Sequence, residues 1–356
     1  MGKKKKNLAK PADAKKAQKT DQNTAQNNDT DQGGLPSAES AVRTLLGAER
    51  KHVESLGAAW IAATGRRPES LIPQVVGTVL AEGGTRPAWQ WRDGGNEFHL
   101  MAWPKISGIR AAVLFRGEEG KSLRPVSCLP LLEGVPNDLT IETVHPLAEG
   151  CGANVGCDVT GKEQPMWFYD PLYTRDRDDL TPGVTQPVLL AALAFGVRKA
   201  LLDAITVTNG PAYEIYAAKW LEDNPGKTRI DVPPYSIPIA GRHIIHPGQF
   251  FGQYQLRALI RDIDECQFDS MPVSILYTQF PLTNKAPLSL PIYVAKLNLG
   301  KYEPKVGDDI DAYVWFQGRI VDYDGAEASV DPNEPNGQEG EQASSVQAPS
   351  SEVPKP

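Results

Sequence analysis

The strongest local pattern in the chain is residues 88–103, AWQWRDGGNEFHLMAW, where apolar and polar residues alternate on both sides of a glycine pair. Alternation with a period of two is typical of a β-strand that buries one face. Gly94 and Gly95 can supply the positive φ angles that a tight turn between two antiparallel strands requires. The pattern therefore predicts a β-hairpin and commits this part of the chain to an antiparallel sheet.

The segments around this hairpin predict one N-terminal unit over residues 35–138. GIRAAVLFRGEEG, at 108–120, indicates a further strand that ends in a turn, so we expect an antiparallel meander over 72–135. Before the meander, residues 36–64 carry apolar side chains at helical spacing. Gly47 weakens the middle of that segment, so two shorter helices are an alternative to one.

Residues 139–208 predict a second β-rich unit, with short strands in TIETVHPL, ANVGCDVTG and QPMWFYD. Within it, 184–197 is ambiguous, because its alanines and leucines favour a helix whereas a turn at Gly183 favours a buried strand. We favour the strand. Residues 209–248 are then expected to hold a helix, at 210–223, and a proline-rich connector.

The last block, 249–321, contains four strand-like runs: YQLRALIRDID, PVSILYTQFPL, LSLPIYVAKLNL and DIDAYVWFQGRIVD. Several short strands over about 70 residues are typical of a compact Greek-key barrel of the OB type. The block at 139–208 follows a similar plan, which suggests an internal duplication. The predicted fold class is therefore α+β and β-rich: an N-terminal helix plus an antiparallel meander, then two small antiparallel barrel-like units of the OB type.

The two ends of the chain have a different composition. Residues 1–34 carry eight lysines against four aspartates, and residues 322–356 carry eight acidic residues against one lysine. Neither stretch has enough apolar surface to offset the entropy lost on ordering. Both are predicted to be disordered, as a basic tail and an acidic tail.

The sequence predicts a cytoplasmic protein with no transmembrane segment. MGKKKKNLAK is followed by no apolar stretch of the kind found in signal peptides. The longest apolar run, at 188–197, has ten residues, about half of what a membrane-spanning helix needs. No CxxC pair occurs among the four cysteines, which we expect to be reduced. These cysteines are Cys128, Cys151, Cys157 and Cys266.

No catalytic or cofactor motif is recognisable: the chain lacks G-x-S-x-G, GxGxxG and Walker sequences. His243 and His246 form an HxxH pair, but Pro247 follows and no helical pattern surrounds it. A metal site there, with Cys266 or Asp262 as a third ligand, is a remote alternative to two packing histidines. The acidic loop at 170–183 is expected to be a solvated turn of alternating charge. We expect no cofactor.

The function that these patterns favour is binding. A binding or scaffold protein with an unidentified protein partner is the first hypothesis. The alternatives are a single-stranded nucleic-acid-binding protein, using an OB-like barrel and the lysines at 3–6, and a hydrolase-type enzyme whose site is not visible in sequence. Weak candidates for a binding face lie on the expected exposed side of the last strand and in the charged loop. They are Tyr173, Arg175, Arg177, Tyr302, Tyr313, Trp315, Gln317 and Arg319.

Overall fold

The fold is known from a computed structural model of the chain, which confirms a β-rich α+β architecture. Both predicted disordered tails lie outside the described residues, apart from Gly34. None of the described helices is long and apolar enough to cross a membrane. The structure describes residues 34–47, 56–82, 87–104, 108–147, 151–159, 165–268, 270–282 and 286–321.

The chain begins with helices α1 (Ala38–Leu46), α2 (Gly57–Thr64) and α3 (Pro68–Glu82). Gly47 is the C-cap of α1, so the alternative of shorter helices is confirmed for the described part of that segment. The prediction that the meander begins at residue 72 was wrong for residues 72–82, because α3 occupies that stretch. Its β-branched residues and internal Pro73 resemble a strand locally, although the buried positions follow the helical repeat.

Four strands complete the N-terminal unit, which we define as α1–α3 together with β1–β4. They form an antiparallel sheet in the order β1-β2-β3-β4, so the predicted hairpin and meander are confirmed. Gly94 and Gly95 have φ angles of 55° and 79° in the first turn, which side chains with a Cβ rarely adopt. The strands are β1 (Trp89–Asp93), β2 (Asn96–Trp103), β3 (Ile109–Glu118) and β4 (Arg124–Leu132).

The larger part of the chain contributes eleven more strands. The strand that we favoured over 184–197 is confirmed as β8, and the helix predicted over 210–223 is confirmed as α5 (Pro211–Asp223). A short helix, α4 (Tyr173–Asp176), precedes β8. The strands are β5 (Val135–Pro146), β6 (Ala153–Asp158), β7 (Met166–Asp170), β8 (Thr185–Lys199), β9 (Ala204–Val207), β10 (Tyr235–Pro238), β11 (Ile244–Pro247), β12 (Gln253–Phe268), β13 (Met271–Phe280), β14 (Leu288–Ala295) and β15 (Asp309–Ile320).

Nine of these strands form one sheet in the order β11-β12-β13-β14-β8-β15-β7-β6-β5. Two additional pairings, β12 with β15 and β8 with β5, close the sheet into two rings of five strands. One ring contains β5, β6, β7, β15 and β8, and the other contains β12, β13, β14, β8 and β15. We call β8 and β15 the shared strands, because both belong to both rings.

The two rings are built with the same connectivity. In each block three consecutive strands pair antiparallel, a short helical turn follows, and the fourth strand returns to pair with the first. The third strand of each block then pairs in parallel with the fourth strand of the other block, β7 with β15 and β14 with β8. The blocks 139–208 and 249–321 therefore do not form separate sheets, since each lends one strand to the other. Their assignment to the OB type stays a prediction.

Burial on both faces explains the unbroken apolar run in β8. Leu190 and Ala192 belong to the core inside the rings, whereas Ala191 and Leu193 face the core that the rings share with the N-terminal unit. A strand with two buried faces shows no alternation of apolar and polar residues. Burial of both faces also explains why the sequence of 184–197 is compatible with a helix as well as with a strand.

The N-terminal unit is joined to the rings by buried hydrogen bonds as well as by apolar packing. The Gln317 side chain on β15 accepts a hydrogen bond from the backbone N–H of Leu132 (2.7 Å) and donates one to the carbonyl of Pro130 (3.1 Å). Trp60 stacks on Phe268 with ring centroids 6.0 Å apart. Because Gln317 is 3% exposed, water cannot replace these partners.

Replacing Gln317 with alanine is expected to lower the free energy of unfolding by about 2 kcal/mol, since it leaves two buried backbone groups of β4 without partners. Chemical denaturation of the full chain measures this difference. Gln279→Ala, at an exposed position on β13, is the matched control and should change stability little. Equal effects of the two substitutions would contradict the bridging role of Gln317.

Candidate functional site

A cavity of about 600 Å³ lies on the outer face of four adjacent strands, β11, β12, β15 and β8. This volume is within the range of small-molecule binding sites. Directly paired residues of neighbouring strands point to the same side of a sheet, so the strand registers arrange the lining in two rows. The first row is His246, Gln255, Tyr313 and Gly196, and the second is Ile244, Arg257, Asp311 and Arg198. We call this cavity, with these eight residues, the groove.

The second row carries the charges of the groove. Arg257 is 5% exposed and donates to both carboxylate oxygens of Asp311, at 2.8 and 3.1 Å, and to the carbonyl of Leu202 at 2.6 Å. The hydrogen bonds to Asp311 raise the pKa of the Arg257 guanidinium. Arg198 differs, because its side chain is 68% exposed and 3.8 Å from Asp311. Arg198 therefore presents a guanidinium that a ligand can reach.

The first row is polar and contains no carboxylate, guanidinium or ammonium group. His246 and Gln255 are exposed, while Tyr313 is half-buried, donates its hydroxyl proton to Gln253 and packs its ring against Phe195. A Cβ atom added to Gly196 would meet nothing within 4 Å, so the space above this glycine is open. This row offers hydrogen-bonding groups and one aromatic ring.

The structure distributes the predicted site residues over different environments. Tyr313 lines the groove, and so does His246. Tyr302 lies near the turn before β15, where its hydroxyl donates to a carboxylate oxygen of Asp308 at 3.0 Å. Burial, and to a lesser degree that carboxylate, raise the pKa of the Tyr302 phenol. The Tyr302 side chain therefore stabilises this turn.

The expected exposure of the last strand was wrong for three of the predicted residues. Trp315, Gln317 and Arg319 are 8%, 3% and 7% exposed, because the N-terminal unit covers this part of β15. Trp315 stacks on Tyr169 with centroids 5.4 Å apart. Arg319 donates to the carbonyl of Leu132 at 3.1 Å and pairs with Glu133 at 3.2 Å. These side chains bind the rest of the chain.

The charged loop after β7 is more deeply buried than the sequence predicts. Arg175 donates to Asp176 and to the carbonyl of Ile320 (3.3 Å), Arg177 pairs with Asp93, and Tyr173 packs against the core of the rings. The expectation of a solvated turn was wrong for Asp170 and Asp176, which are 0% and 3% exposed. These two carboxylates fold inward because they satisfy backbone N–H groups.

Asp170 and Asp176 form a buried carboxylate pair. One oxygen of Asp170 accepts from the N–H of Leu172 at 2.7 Å, and the other has no hydrogen-bond partner. Asp176 accepts from the N–H of Ile320 at 3.0 Å and from Arg175. Burial, followed by the charge of Asp176, raises the pKa of Asp170 well above its usual range. Burial also raises the pKa of Asp176, but the hydrogen bond from Arg175 and its positive charge oppose that shift.

The two histidines do not converge on one site. Residues three apart on an extended backbone point to opposite faces. His246 accordingly lines the groove, whereas the His243 ring packs edge-on against Phe280 at 5.7 Å between centroids. Within the described part of the chain, no group of three potential ligands could hold a metal ion. The remote metal hypothesis gains no support from this arrangement.

One feature that the sequence reasoning missed is a group of aromatic rings, the exposed His145 and Phe251 and the half-buried Trp167, which we call the aromatic cluster. The ring centroids are 4.8 Å apart for His145–Trp167 and Trp167–Phe251, and 5.9 Å apart for His145–Phe251. Phe251 is 53% exposed, and the neighbouring Phe250 is 68% exposed. The three rings come from β5, β7 and the loop before β12, so no local pattern in the sequence links them.

Comparison of the chain with protein-family models, with curated proteins and with solved structures gave no match. The groove combines hydrogen-bonding groups, one aromatic ring and an accessible guanidinium. Among the hydrogen bonds and ion pairs of the described residues, none gives His246 the acidic partner that a general base usually has.

Asp170→Asn is expected to stabilise the protein increasingly as pH rises. The raised pKa means that the folded state keeps a proton that the unfolded state releases, so the contribution of Asp170 is most favourable below its unfolded pKa and is lost above it. The advantage of Asp170→Asn should grow by up to about 1.4 kcal/mol per pH unit above pH 4. Denaturant unfolding at several pH values measures it.

Asp178→Asn provides the control, because the Asp178 side chain is 95% exposed. Its difference from the wild type should stay nearly constant over the same pH range. Parallel curves for Asp170→Asn and the wild type would contradict a raised pKa of Asp170 in the folded state.

Proposed function

We propose that the protein is a binding protein and that the groove is its ligand site. The observation that carries this proposal is the register of β11, β12, β15 and β8, which brings two rows of residues to one side of the sheet. Binding sites combine a concave shape with a few convergent polar groups. The groove has both properties.

The lining favours a polar organic ligand that carries an anionic group. Arg198 can bind a carboxylate or a phosphate, since its guanidinium is exposed while Arg257 is held by Asp311. Gln255 and His246 can hydrogen-bond to the body of the ligand, and Tyr313 can contact a planar or apolar part. The ligand would thus be fixed by one charge contact and several weaker ones.

Binding is a better account than hydrolysis. The buried pair of Asp170 and Asp176 is the clearest set of groups with shifted pKa values, but exposures of 0% and 3% leave no access for a substrate. His246 can reach a ligand and lacks an acidic partner among the described contacts. Within the part of the chain that the structure describes, the alternative of a hydrolase-type enzyme therefore has no accessible group of residues to support it.

We place the protein in the cytoplasm, which agrees with the observation that none of the four cysteines, all within the described residues and three of them buried, forms a disulfide. We also assign each five-stranded ring to the OB type, on the support of its repeated connectivity and short helical turn. A protein partner could use the same groove through an acidic side chain, because the contact with Arg198 is the same.

Gly196→Trp tests the groove, because a Cβ atom on residue 196 would meet nothing within 4 Å and the indole attached to it would extend into the groove. A thermal-shift assay against a panel of carboxylates, sugar phosphates, nucleotides and acidic peptides measures binding as a rise in melting temperature. We expect at least one compound class to stabilise the wild type and to have no effect on Gly196→Trp.

Gly77→Trp is the matched control, since Gly77 on α3 also has open space around its Cβ position and does not line the groove. Its response to the panel should equal that of the wild type. The proposal fails if no compound class stabilises the wild type, or if Gly196→Trp responds as strongly as Gly77→Trp.

A further inference from the structure

The aromatic cluster lies next to the groove along the same strand. Phe251 belongs to the loop between β11 and β12, and Gln255 of the groove follows four residues later, which places the two residues at most about 13 Å apart along the chain. Between them, Gly252 passes so close to Trp315 that an added Cβ would be 3.3 Å from its indole. The groove and the aromatic cluster are therefore successive parts of one surface.

The strands beneath the aromatic cluster leave space for the Trp167 indole to lie across the sheet. Thr143, Gly156 and Trp167 form a row across β5, β6 and β7. A Cβ on residue 156 would be 3.2 Å from the Trp167 ring and 2.8 Å from the methyl group of Thr143. The glycine thus lets the indole lie over β6, where Phe251 packs against it edge to face. Phe251 remains half exposed after this contact, and the preceding residue, Phe250, is exposed as well.

Charge is divided unequally between the two parts. Strands β5, β6 and β7 contain no lysine or arginine, and they carry carboxylates such as Glu142 and Asp158. The cationic groups line the groove instead, where Arg257 is held by Asp311 and the exposed Arg198 makes only a long ion pair with the same carboxylate, at 3.8 Å. A ligand that used both parts would need a planar apolar portion over the cluster and an anionic portion in the groove.

We propose that this ligand is single-stranded nucleic acid, with bases stacked on the aromatic cluster and the backbone entering the groove beside Arg198. This inference rests on the proposed function and names the ligand class. Unpaired bases offer planar faces to aromatic side chains, and phosphates pair with guanidinium groups, in sites that span four or more nucleotides. The aromatic cluster offers rings for the bases, and the neighbouring groove offers the Arg198 guanidinium for a phosphate.

Fluorescence anisotropy with a labelled oligothymidylate and a labelled oligouridylate, at low and moderate salt, tests the inference on the full chain. Trp167→Ala and Phe251→Ala should each weaken binding about tenfold, the typical loss of one stacked base. Arg198→Ala should weaken binding and reduce the salt dependence by about one counterion. Ile215→Ala, at an exposed apolar position on α5, should leave affinity unchanged. Circular dichroism and melting temperature verify that each variant is folded.

The basic end of the chain needs its own control, because lysines bind phosphate without any shaped site. A variant with Lys3, Lys4, Lys5 and Lys6 all replaced by glutamine should retain the Trp167-dependent part of the affinity. The inference is overturned if the wild type binds neither oligonucleotide, or if Trp167→Ala and Phe251→Ala bind as well as Ile215→Ala. If Gly196→Trp still blocks a compound from the thermal-shift panel in that case, the groove remains a binding site and nucleic acid is not its ligand.

Discussion

The antiparallel pairing of β8 with β15 is the interaction on which the rest of the structure depends. It runs from Val188–Ile320 to Lys199–Ile310 and joins the two sequence blocks through both of their last strands. Each ring contains four strands from one block, and the last strand of the other block, β15 or β8, is the fifth strand that closes it. Neither block can complete its hydrogen-bonded ring alone, since a missing shared strand would leave backbone groups unpaired at two edges.

Because both faces of β15 are covered, its polar residues need hydrogen-bond partners within the protein. Gln317 and Arg319 lie in a strand that is buried by the rings on one side and by the N-terminal unit on the other. Each is matched to a backbone carbonyl of the N-terminal unit, and Arg319 also to Glu133. Partners this specific allow one docking position for the N-terminal unit, because a shift along the strand would bury polar groups without compensation.

The same geometry determines where the surface stays open. The N-terminal unit contacts β15 from Trp315 onward, whereas the beginning of the strand, with Asp311 and Tyr313, is left to the groove. The β11–β12 hairpin borders the groove and carries Phe251 to the aromatic cluster. The concave, charged site and the aromatic surface thus both result from how far the N-terminal unit extends over the shared strands.

Local periodicity and turn residues were enough to predict the hairpin at Gly94 and Gly95, the four strands of the last block and the helix α5. They failed over 72–82, where β-branched residues with a proline resemble a strand although the segment packs as a helix. Tyr313 and His246 were named as candidates from their residue types, but their meeting in one groove depends on strand register. The sequence alone could not predict three further groups for the same reason. They are the pair Arg257 and Asp311, the pair Asp170 and Asp176, and the aromatic cluster.

What the sequence determined by itself is which segments are strands and helices, because that depends on neighbours within a few residues. Tertiary packing alone determines that β8 and β15 belong to both rings, that Trp315 is covered and where each candidate site lies. Those features join residues that are often more than fifty positions apart, such as Gly196 with Tyr313 and Trp167 with Phe251. The choice among such pairings follows from closing two rings around one apolar interior, which no local pattern records.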